Sequence, residues 1–197
     1  SLRMKLIKGE IANILEKQAD KLKPAYEDLK QSIREQPGAH FDETSWRVIN
    51  GDQGHFAWTM SGIENDDVLY LLGRSRGKGN VTELAGVKYD GIGITDDYGA
   101  YRHIFKEGHH ALCWAHPLRK LRDLKNSETL SEDKKIYCKQ TYEEFSSLYE
   151  ELRIIHDKPF DKHEREATAQ KLKKKFATIL VARDGDPEIL KQFKKSW

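Results

Sequence analysis

Apolar residues recur at three- and four-residue spacing over residues 6–34, which is the pattern of one face of an α-helix. The positions that carry this pattern are Ile7, Ile11, Ile14, Leu15, Leu22, Tyr26, Leu29 and Ile33. Pro24 interrupts the pattern, so we expect a kink or a junction between two helices there. Pro37 and Gly38 end it. The first segment is therefore predicted to be an amphipathic helix.

Between residues 39 and 116, short runs rich in Val, Ile, Tyr, Phe and Trp alternate with Gly, Asn and Asp, which predicts strands joined by turns. The predicted strands are residues 39–49, 56–61, 68–72, 91–95 and 111–115. Asn, Gly and Asp in residues 50–54 predict a hairpin turn between the first two strands. Residues 77–84, capped by Asn80, and residues 98–105 are predicted crossover helices. Three strands followed by helix–strand–helix–strand predict a mixed sheet with helices packed on it.

The sequence after Pro117 is highly charged and carries helical patterns. The predicted helices are residues 118–125, 132–156 and 162–183, with a last one opened by residues 186–188. This region is either a helical subdomain or an insertion into the α/β domain. The predicted domains are a helical segment over residues 1–37, an α/β core over 38–122 and a helical region over 123–197.

Composition narrows the class of protein. Charged residues make up 34% of the chain and the mean hydropathy is -0.77, which indicates a highly solvated surface. No apolar run approaches the ~20 residues of a membrane-spanning helix, and the charged N-terminal stretch is unlike a signal peptide. Cys113 and Cys138 are too few for a disulfide framework, so we expect a reducing, intracellular compartment.

The net charge of +2 makes the chain only mildly basic. A protein that binds nucleic acid concentrates its positive charge on one surface. Lysines do cluster late in the chain, at Lys171, Lys173, Lys174, Lys175, Lys191, Lys194 and Lys195. This cluster is either a solvated helix face or a surface that contacts DNA.

Two aspartates are the candidate chemical groups. Asp42 lies within the first predicted strand, and alternation places it on the face opposite Phe41. Asp96 follows an apolar strand, at the strand end where ligands bind in α/β sheets. Convergent carboxylates hold divalent metal for phosphoryl transfer. The alternative is that Thr95, Asp96 or Asp97 caps a following helix, and capping and ligation are not exclusive.

Two further groups of residues have simpler interpretations. Cys113 and His116 lack the second Cys/His pair of a zinc site. Trp46, Trp58, Tyr70 and Trp114 are interpreted as sheet-packing residues and not as platforms for base stacking.

Five blocks in the same order over residues 40–121 resemble the DDE transposases of the bacterial insertion-sequence sixty-six family. The blocks are Asp-Glu-Thr at 42–44, Phe-Ala-Trp at 56–58, Arg-Gly at 76–77, Thr-Asp-Asp-Tyr-Gly-Ala-Tyr at 95–101 and Cys-Trp-Ala-His at 113–116. Asp97 stands where the family has Gly, and Pro117 and Leu118 stand where it is basic.

The resemblance implies a ribonuclease H-like fold, with a mixed five-stranded sheet and flanking helices, and DNA cleavage and strand transfer. It makes Asp42 and Asp96 the first two catalytic carboxylates and ligands of Mg²⁺ or Mn²⁺. The third is a Glu in an Asn-x-x-Glu-Arg-like block beyond a helical insertion, and no such block precedes Trp197. We therefore expect a fragment or a degenerate copy with little activity alone.

The resemblance also implies partners. DNA is the expected partner, as element ends and target, with contacts from His116, Arg119, Lys120 and Arg122. A homo-oligomer is expected on DNA, in the bacterial cytoplasm, with no membrane association.

Two rival hypotheses remain open. The first is another metal-dependent nuclease on the same fold, which would use the same aspartates without strand joining. The second is a non-catalytic module that binds DNA or self-associates through its N-terminal helix.

Overall fold

The computed structural model describes residues 7–48, 55–87, 89–96, 98–101, 104–156 and 161–197, without the side chain of His156. Its internal contacts divide the chain into two compact units, Ser1–Leu112 and Cys113–Trp197. Each unit is described by itself. The three-part division into residues 1–37, 38–122 and 123–197 stays a prediction.

The first unit begins with a single long helix, α1, over Lys8–Arg34. The helix continues through Pro24, so the expected junction between two helices is wrong. At its start the Ile7 amide donates a hydrogen bond to the Glu10 side chain (3.0 Å). Residues 7–25 are exposed, whereas Ile33 is fully buried, so only the last turns of α1 pack on the sheet.

Five strands form one sheet in the order β3-β2-β1-β4-β5. They are β1 (Gly38–Trp46), β2 (His55–Gly62), β3 (Val68–Gly73), β4 (Ile92–Thr95) and β5 (His110–Leu112). The pairs β1–β2 and β2–β3 are antiparallel, and the pairs β1–β4 and β4–β5 are parallel. This mixed sheet with flanking helices confirms the predicted fold class and is consistent with a ribonuclease H-like fold.

The strand boundaries differ from the prediction in two places. β1 ends at Trp46, so Arg47 and Val48 of the predicted strand 39–49 are not part of it; the last residue of that strand and the predicted turn at 50–54 lie outside the described residues. The predicted strand 111–115 is shorter, because the chain leaves the sheet after Leu112 and Ala115 already begins a helix.

Of the two predicted crossover helices, one is confirmed and the other is wrong. Helix α2 (Lys78–Ala85) is present, but its N-cap is Gly77 and not Asn80. The Asn80 side chain instead donates to the Ser75 carbonyl (2.8 Å). The described part of residues 98–105 forms turns and no helix, because its hydrogen bonds span three residues, from Tyr101 N–H to Tyr98 and onward.

The core of this unit lies on one face of the sheet, against α1 and α2. Its largest buried side chains include Trp58, Met60, Ile33 and Leu84. Phe41 belongs to this core, whereas Asp42 is exposed. The predicted alternation is therefore confirmed, and Asp42 faces away from the core.

The described residues of the second unit form helices and the segments that connect them. It contains α3 (Ala115–Lys125), α4 (Glu132–His156), α5 (Lys162–Leu180) and α6 (Glu188–Ser196). Its core is built around Phe145, Phe193, Leu121 and Leu190. α4 matches its predicted bounds, while α3 begins earlier and α5 ends earlier than predicted. Among the helices described in both units, none is long and apolar enough to cross a bilayer.

Candidate active site

Asp42 and Asp96 lie on neighbouring strands of the sheet. Asp42 is in β1, and Asp96 directly follows β4. The two strands run parallel, with His40 opposite Ile94. Continuing this register by two residues sets Asp42 opposite Asp96, and neighbouring strands are only about 4.8 Å apart. Asp96 thus lies at the carboxyl end of β4, where α/β sheets bind their ligands, and Asp42 lies midway along β1, two residues past the last residue of β1 that pairs with β4.

Each aspartate uses one carboxylate oxygen to fix its own backbone. Oδ1 of Asp42 accepts a hydrogen bond from the amide of Glu43 (2.9 Å). Oδ1 of Asp96 accepts one from the amide of Tyr98 (2.9 Å). The expected capping role of Asp96 therefore exists, but it closes a turn and not a helix. The second oxygen of each carboxylate makes no hydrogen bond to any described residue.

The donor set at this position suits a hard divalent cation. Within the described ranges, no group of three or more His, Cys, Asp or Glu residues could hold a metal ion. Mg²⁺, however, is commonly bound by one or two carboxylates, with water and substrate phosphate oxygens completing six ligands. Two aspartates with one open oxygen each fit that pattern, in which DNA would supply the remaining oxygens.

Glu43 has the opposite environment to its neighbour Asp42. Alternation turns its side chain to the core face of the sheet, where it is only 1% exposed. Its Oε1 accepts hydrogen bonds from Nε (2.8 Å) and Nη2 (2.5 Å) of Arg76, and its Oε2 accepts one from the Tyr101 hydroxyl (2.5 Å). The buried carboxylate is therefore both paired and hydrogen-bonded, as burial of a charge requires.

Tyr98 connects this buried pair to Asp96. Its ring lies 3.9 Å from the guanidinium carbon of Arg76, in a cation–π contact. Its hydroxyl donates to the Arg76 carbonyl (3.0 Å), while its amide donates to Asp96. Glu43, Arg76, Tyr98 and Tyr101 therefore form one cluster on the core face of the sheet, which we call the Glu43 cluster, and the Tyr98 amide links it to Asp96.

The electrostatics of the Glu43 cluster follow from burial and from its carboxylates. Burial raises the pKa of Tyr101 far above its usual range, and the hydrogen bond to Glu43 and the charges of Asp96 and Asp42 add to the rise. The hydrogen bond to Glu43 raises the pKa of Arg76, and the charge of Asp96 contributes. Tyr101 is therefore a neutral donor and Arg76 a permanent cation at neutral pH.

The comparison with known families now decides the identity. The model of the Transposase IS66 family matches residues 2–192. The chain belongs to the IS66 family of transposases. A search of curated proteins finds no match to it. Family membership supports a role in DNA transposition, makes DNA the expected partner, and confirms the resemblance drawn from the five sequence blocks.

Sequence reasoning assigned no role to the Glu43 cluster of this transposase. Each of its four residues lies in one of the blocks quoted for the family, but only the aspartates were given a function. A signal was available, because alternation places Glu43 on the same face as Phe41. A carboxylate on a core face needs a cationic or hydrogen-bonding partner, and Arg76 is the only cation in those blocks before the His116 segment.

The residues predicted to contact DNA lie on α3 of the helical unit. Arg119 is exposed, and the Arg122 side chain lies 3.7 Å from Asp123 at the surface. The ammonium of Lys120 lies 5.7 Å from the centre of the Phe193 ring. His116 is half-buried, and its Nδ1 has no hydrogen-bond partner among the described residues.

The late lysine cluster is only partly a free surface. Lys194 is 1% exposed and donates to Asp186 (2.8 Å), which is also 1% exposed. Lys171 and Lys175 both lie within ion-pair distance of Glu151. Lys194 is therefore part of the core of the helical unit and not of a DNA-contacting surface.

The sheet-packing interpretation holds for only one of the four aromatic residues. Trp58 is buried in the sheet core. Trp46 is 50% exposed and Tyr70 is also exposed, because both lie on the face of the sheet that points away from the core. Trp114 packs in the helical unit, with its ring 5.5 Å from that of Phe176.

Proposed function

We propose that this transposase cleaves and joins DNA at Asp42 and Asp96, with Mg²⁺ or Mn²⁺ bound between their carboxylates. The observation that carries the proposal is the pair of aspartates on the adjacent parallel strands β1 and β4, each with one carboxylate oxygen that no described residue contacts by a hydrogen bond. Family membership supports the reaction class, and the oxygen donors support the choice of metal. A bound divalent cation would activate the attacking oxygen and neutralise charge on the phosphate.

The protein residues hold the reacting groups in place. In cleavage, the oxygen of a water bonds to phosphorus while the bond from phosphorus to the 3′ oxygen breaks, which leaves a 3′-hydroxyl. In joining, that hydroxyl bonds to a target phosphorus and displaces a target 3′ oxygen. Each step exchanges one phosphorus–oxygen bond for another, so no covalent intermediate with the protein is required.

The surrounding residues supply rigidity and DNA contacts in this proposal. The amides of Glu43 and Tyr98 fix the two carboxylates by their hydrogen bonds. His116, Arg119, Lys120 and Arg122 would contact DNA phosphates, and the binding would weaken as salt rises. More than one copy of the chain is proposed to act on the DNA together.

The test is a combined nicking and joining assay. The protein is incubated with supercoiled plasmid and a labelled oligonucleotide carrying a free 3′-hydroxyl, in Mg²⁺ or Mn²⁺. Nicked plasmid reports cleavage, and transfer of the label to the plasmid reports joining. Asp42→Asn and Asp96→Asn are each expected to lower both signals by at least about a hundredfold, because each removes a charged ligand.

The matched control is Asp66→Asn, which changes an exposed aspartate in the turn between β2 and β3. It is expected to behave as the wild type. Equal activity of the wild type and both site variants, at a level above that of a reaction without protein, would contradict the proposal. Nicking without joining would favour the rival metal-dependent nuclease.

A further inference from the structure

Arg76 is held beside the candidate active site by more contacts than a surface arginine usually has. It lies between β3 and α2, directly before the N-cap Gly77. Two of its nitrogens donate to Glu43, and its guanidinium carbon lies 3.9 Å from the centre of the Tyr98 ring. Its side chain nevertheless remains 46% exposed. The guanidinium is therefore fixed in orientation and still open to solvent.

The exposed part of Arg76 keeps hydrogen-bond donors available. Both hydrogen bonds to Glu43 come from Nε and Nη2, and Nη1 makes none to any described residue. A guanidinium carries five N–H donors, so most of them remain unused. Such a planar, permanently charged donor set suits phosphate oxygens well.

A purely structural contact would not require a buried carboxylate to be paired with a half-exposed cation, because this pairing recovers less of the desolvation free energy. Burying the Glu43 carboxylate carries a large desolvation penalty, which a closed pair with a buried cation would offset more fully. Here the cation is half exposed, and the charge of Asp96 acts on it. The buried carboxylate and the Tyr98 ring instead orient a cation whose free side points to solvent.

We propose that Arg76 binds a phosphate oxygen of the DNA strand that is processed at Asp42 and Asp96, on the Asp96 side of the site. Glu43, Tyr98 and Tyr101 are positioning residues, which fix the guanidinium before DNA arrives. This inference rests on the proposed function, because it requires DNA to bind at the same end of the sheet. A cation that is already fixed in orientation binds a phosphate without first losing side-chain freedom.

The test uses the Arg76 side chain as its own probe. The Nε–H of Arg76, held by Glu43, is followed by ¹H–¹⁵N NMR while a short DNA duplex is added to the wild-type protein. We expect this resonance to shift and to saturate together with DNA binding. A resonance that does not move when DNA is added overturns the proposal.

The second arm measures the salt dependence of DNA binding. The slope of log K against log salt is expected to fall in magnitude by about 0.9 in Arg76→Gln, which is the contribution of one phosphate contact. Arg76→Lys keeps the charge and is expected to keep the slope. The matched control is Arg153→Gln, which removes an exposed arginine paired with Glu150 on α4. An unchanged slope in Arg76→Gln overturns the proposal.

Failure of this inference can be told apart from failure of the proposed function. Mn²⁺ is added to the same wild-type sample, and broadening of the amide signals of Asp42 and Asp96 reports the metal site. Broadening without any response of Arg76 to DNA would overturn only the role of Arg76. A response of Arg76 without broadening would support a phosphate contact and contradict the metal site.

Discussion

The two units each contain a buried carboxylate paired with a cation, but the pairs are built differently. In the helical unit, Lys194 and Asp186 are both 1% exposed, so the pair is closed. In the sheet unit, Glu43 is equally buried, but its partner Arg76 remains 46% exposed and interacts with the charge of Asp96. The closed pair can serve only the fold, whereas the open pair offers donors to a ligand.

The two buried carboxylates, Asp186 and Glu43, also differ in their hydrogen-bond partners. Asp186 accepts from the Arg183 amide and from Lys194, while its Oδ1 is buried and has no partner in the described chain. Both oxygens of Glu43 are used, by Arg76 and by Tyr101. The pair that is better satisfied is the one whose cation faces solvent, which is what positioning a cation for a ligand requires.

The largest expected effect is on the closed pair. Lys194→Met leaves the Asp186 carboxylate buried without its cation, so we expect a loss of about 3–5 kcal/mol in the free energy of unfolding. Urea unfolding followed by tryptophan fluorescence measures it. Lys195→Met is the matched control, because that lysine is exposed on the same helix, and it is expected to change stability by less than about 0.5 kcal/mol. Equal effects of the two changes would show that Lys194 is not buried.

A smaller loss is expected for the open pair. Arg76→Gln removes the cation of a buried carboxylate, but the Tyr101 hydroxyl remains and solvent reaches the vacated position. We therefore expect a loss of about 2–3 kcal/mol in the free energy of unfolding. Arg74→Gln changes an exposed arginine of the same segment and serves as the control. A loss as large as that of Lys194→Met would mean that the Glu43 pair is closed as well.

Two tyrosines of the same core extend the comparison to neutral groups. The Tyr101 hydroxyl donates to Glu43, whereas the buried Tyr89 hydroxyl has no partner among the described residues. Tyr101→Phe is expected to lose about 2 kcal/mol in the free energy of unfolding, because it removes a hydrogen bond to a charged group. Tyr89→Phe is expected to gain about 1 kcal/mol, because it removes an unsatisfied polar atom. Thermal and urea unfolding of both variants at pH 7 compare the two signs.

Alkaline pH should widen the gap between the wild type and Tyr89→Phe. Burial raises the pKa of Tyr89 to about 12 in the folded protein, against about 10 in an unfolded chain. The unfolded state therefore loses this proton first, so wild-type stability falls by about 1.4 kcal/mol per pH unit between about pH 10 and 12. Tyr89→Phe has no hydroxyl at this position, so its stability does not fall for this reason. A gap that stays constant over that pH range would contradict the buried hydroxyl.

The sequence was sufficient where one periodicity decided the structure. Alternation in the first strand placed Phe41 in the core and Asp42 outside, and the bounds of α4 followed from its helical repeat. It failed where side chains far apart in the chain meet. Residues 98–105 have helical spacing, yet Tyr98 and Tyr101 are held by Arg76 and Glu43 instead. Lys194 has the composition of a solvated face, but its partner Asp186 draws it into the core.

The candidate site was predictable in part for the same reason. Asp42 was selected from its place within a strand, Asp96 from a strand end, and both from the family resemblance, and their places on adjacent parallel strands follow from the sheet order. The role of Arg76 depends on contacts across 33 residues of sequence, which no local pattern contains. The Arg-Gly block at 76–77 contributed to the family resemblance, but the sequence did not indicate what Arg76 does.

The most direct test of the central claim is a Mn²⁺ titration followed by paramagnetic broadening of amide signals. It compares the wild type with Asp42→Asn, Asp96→Asn and the control Asp66→Asn. If a metal ion binds between the two aspartates, broadening is selective around both Asp42 and Asp96 in the wild type and the control, and it is lost in either site variant. Broadening that persists in both site variants, or that never appears near the two aspartates, would contradict a metal site between them.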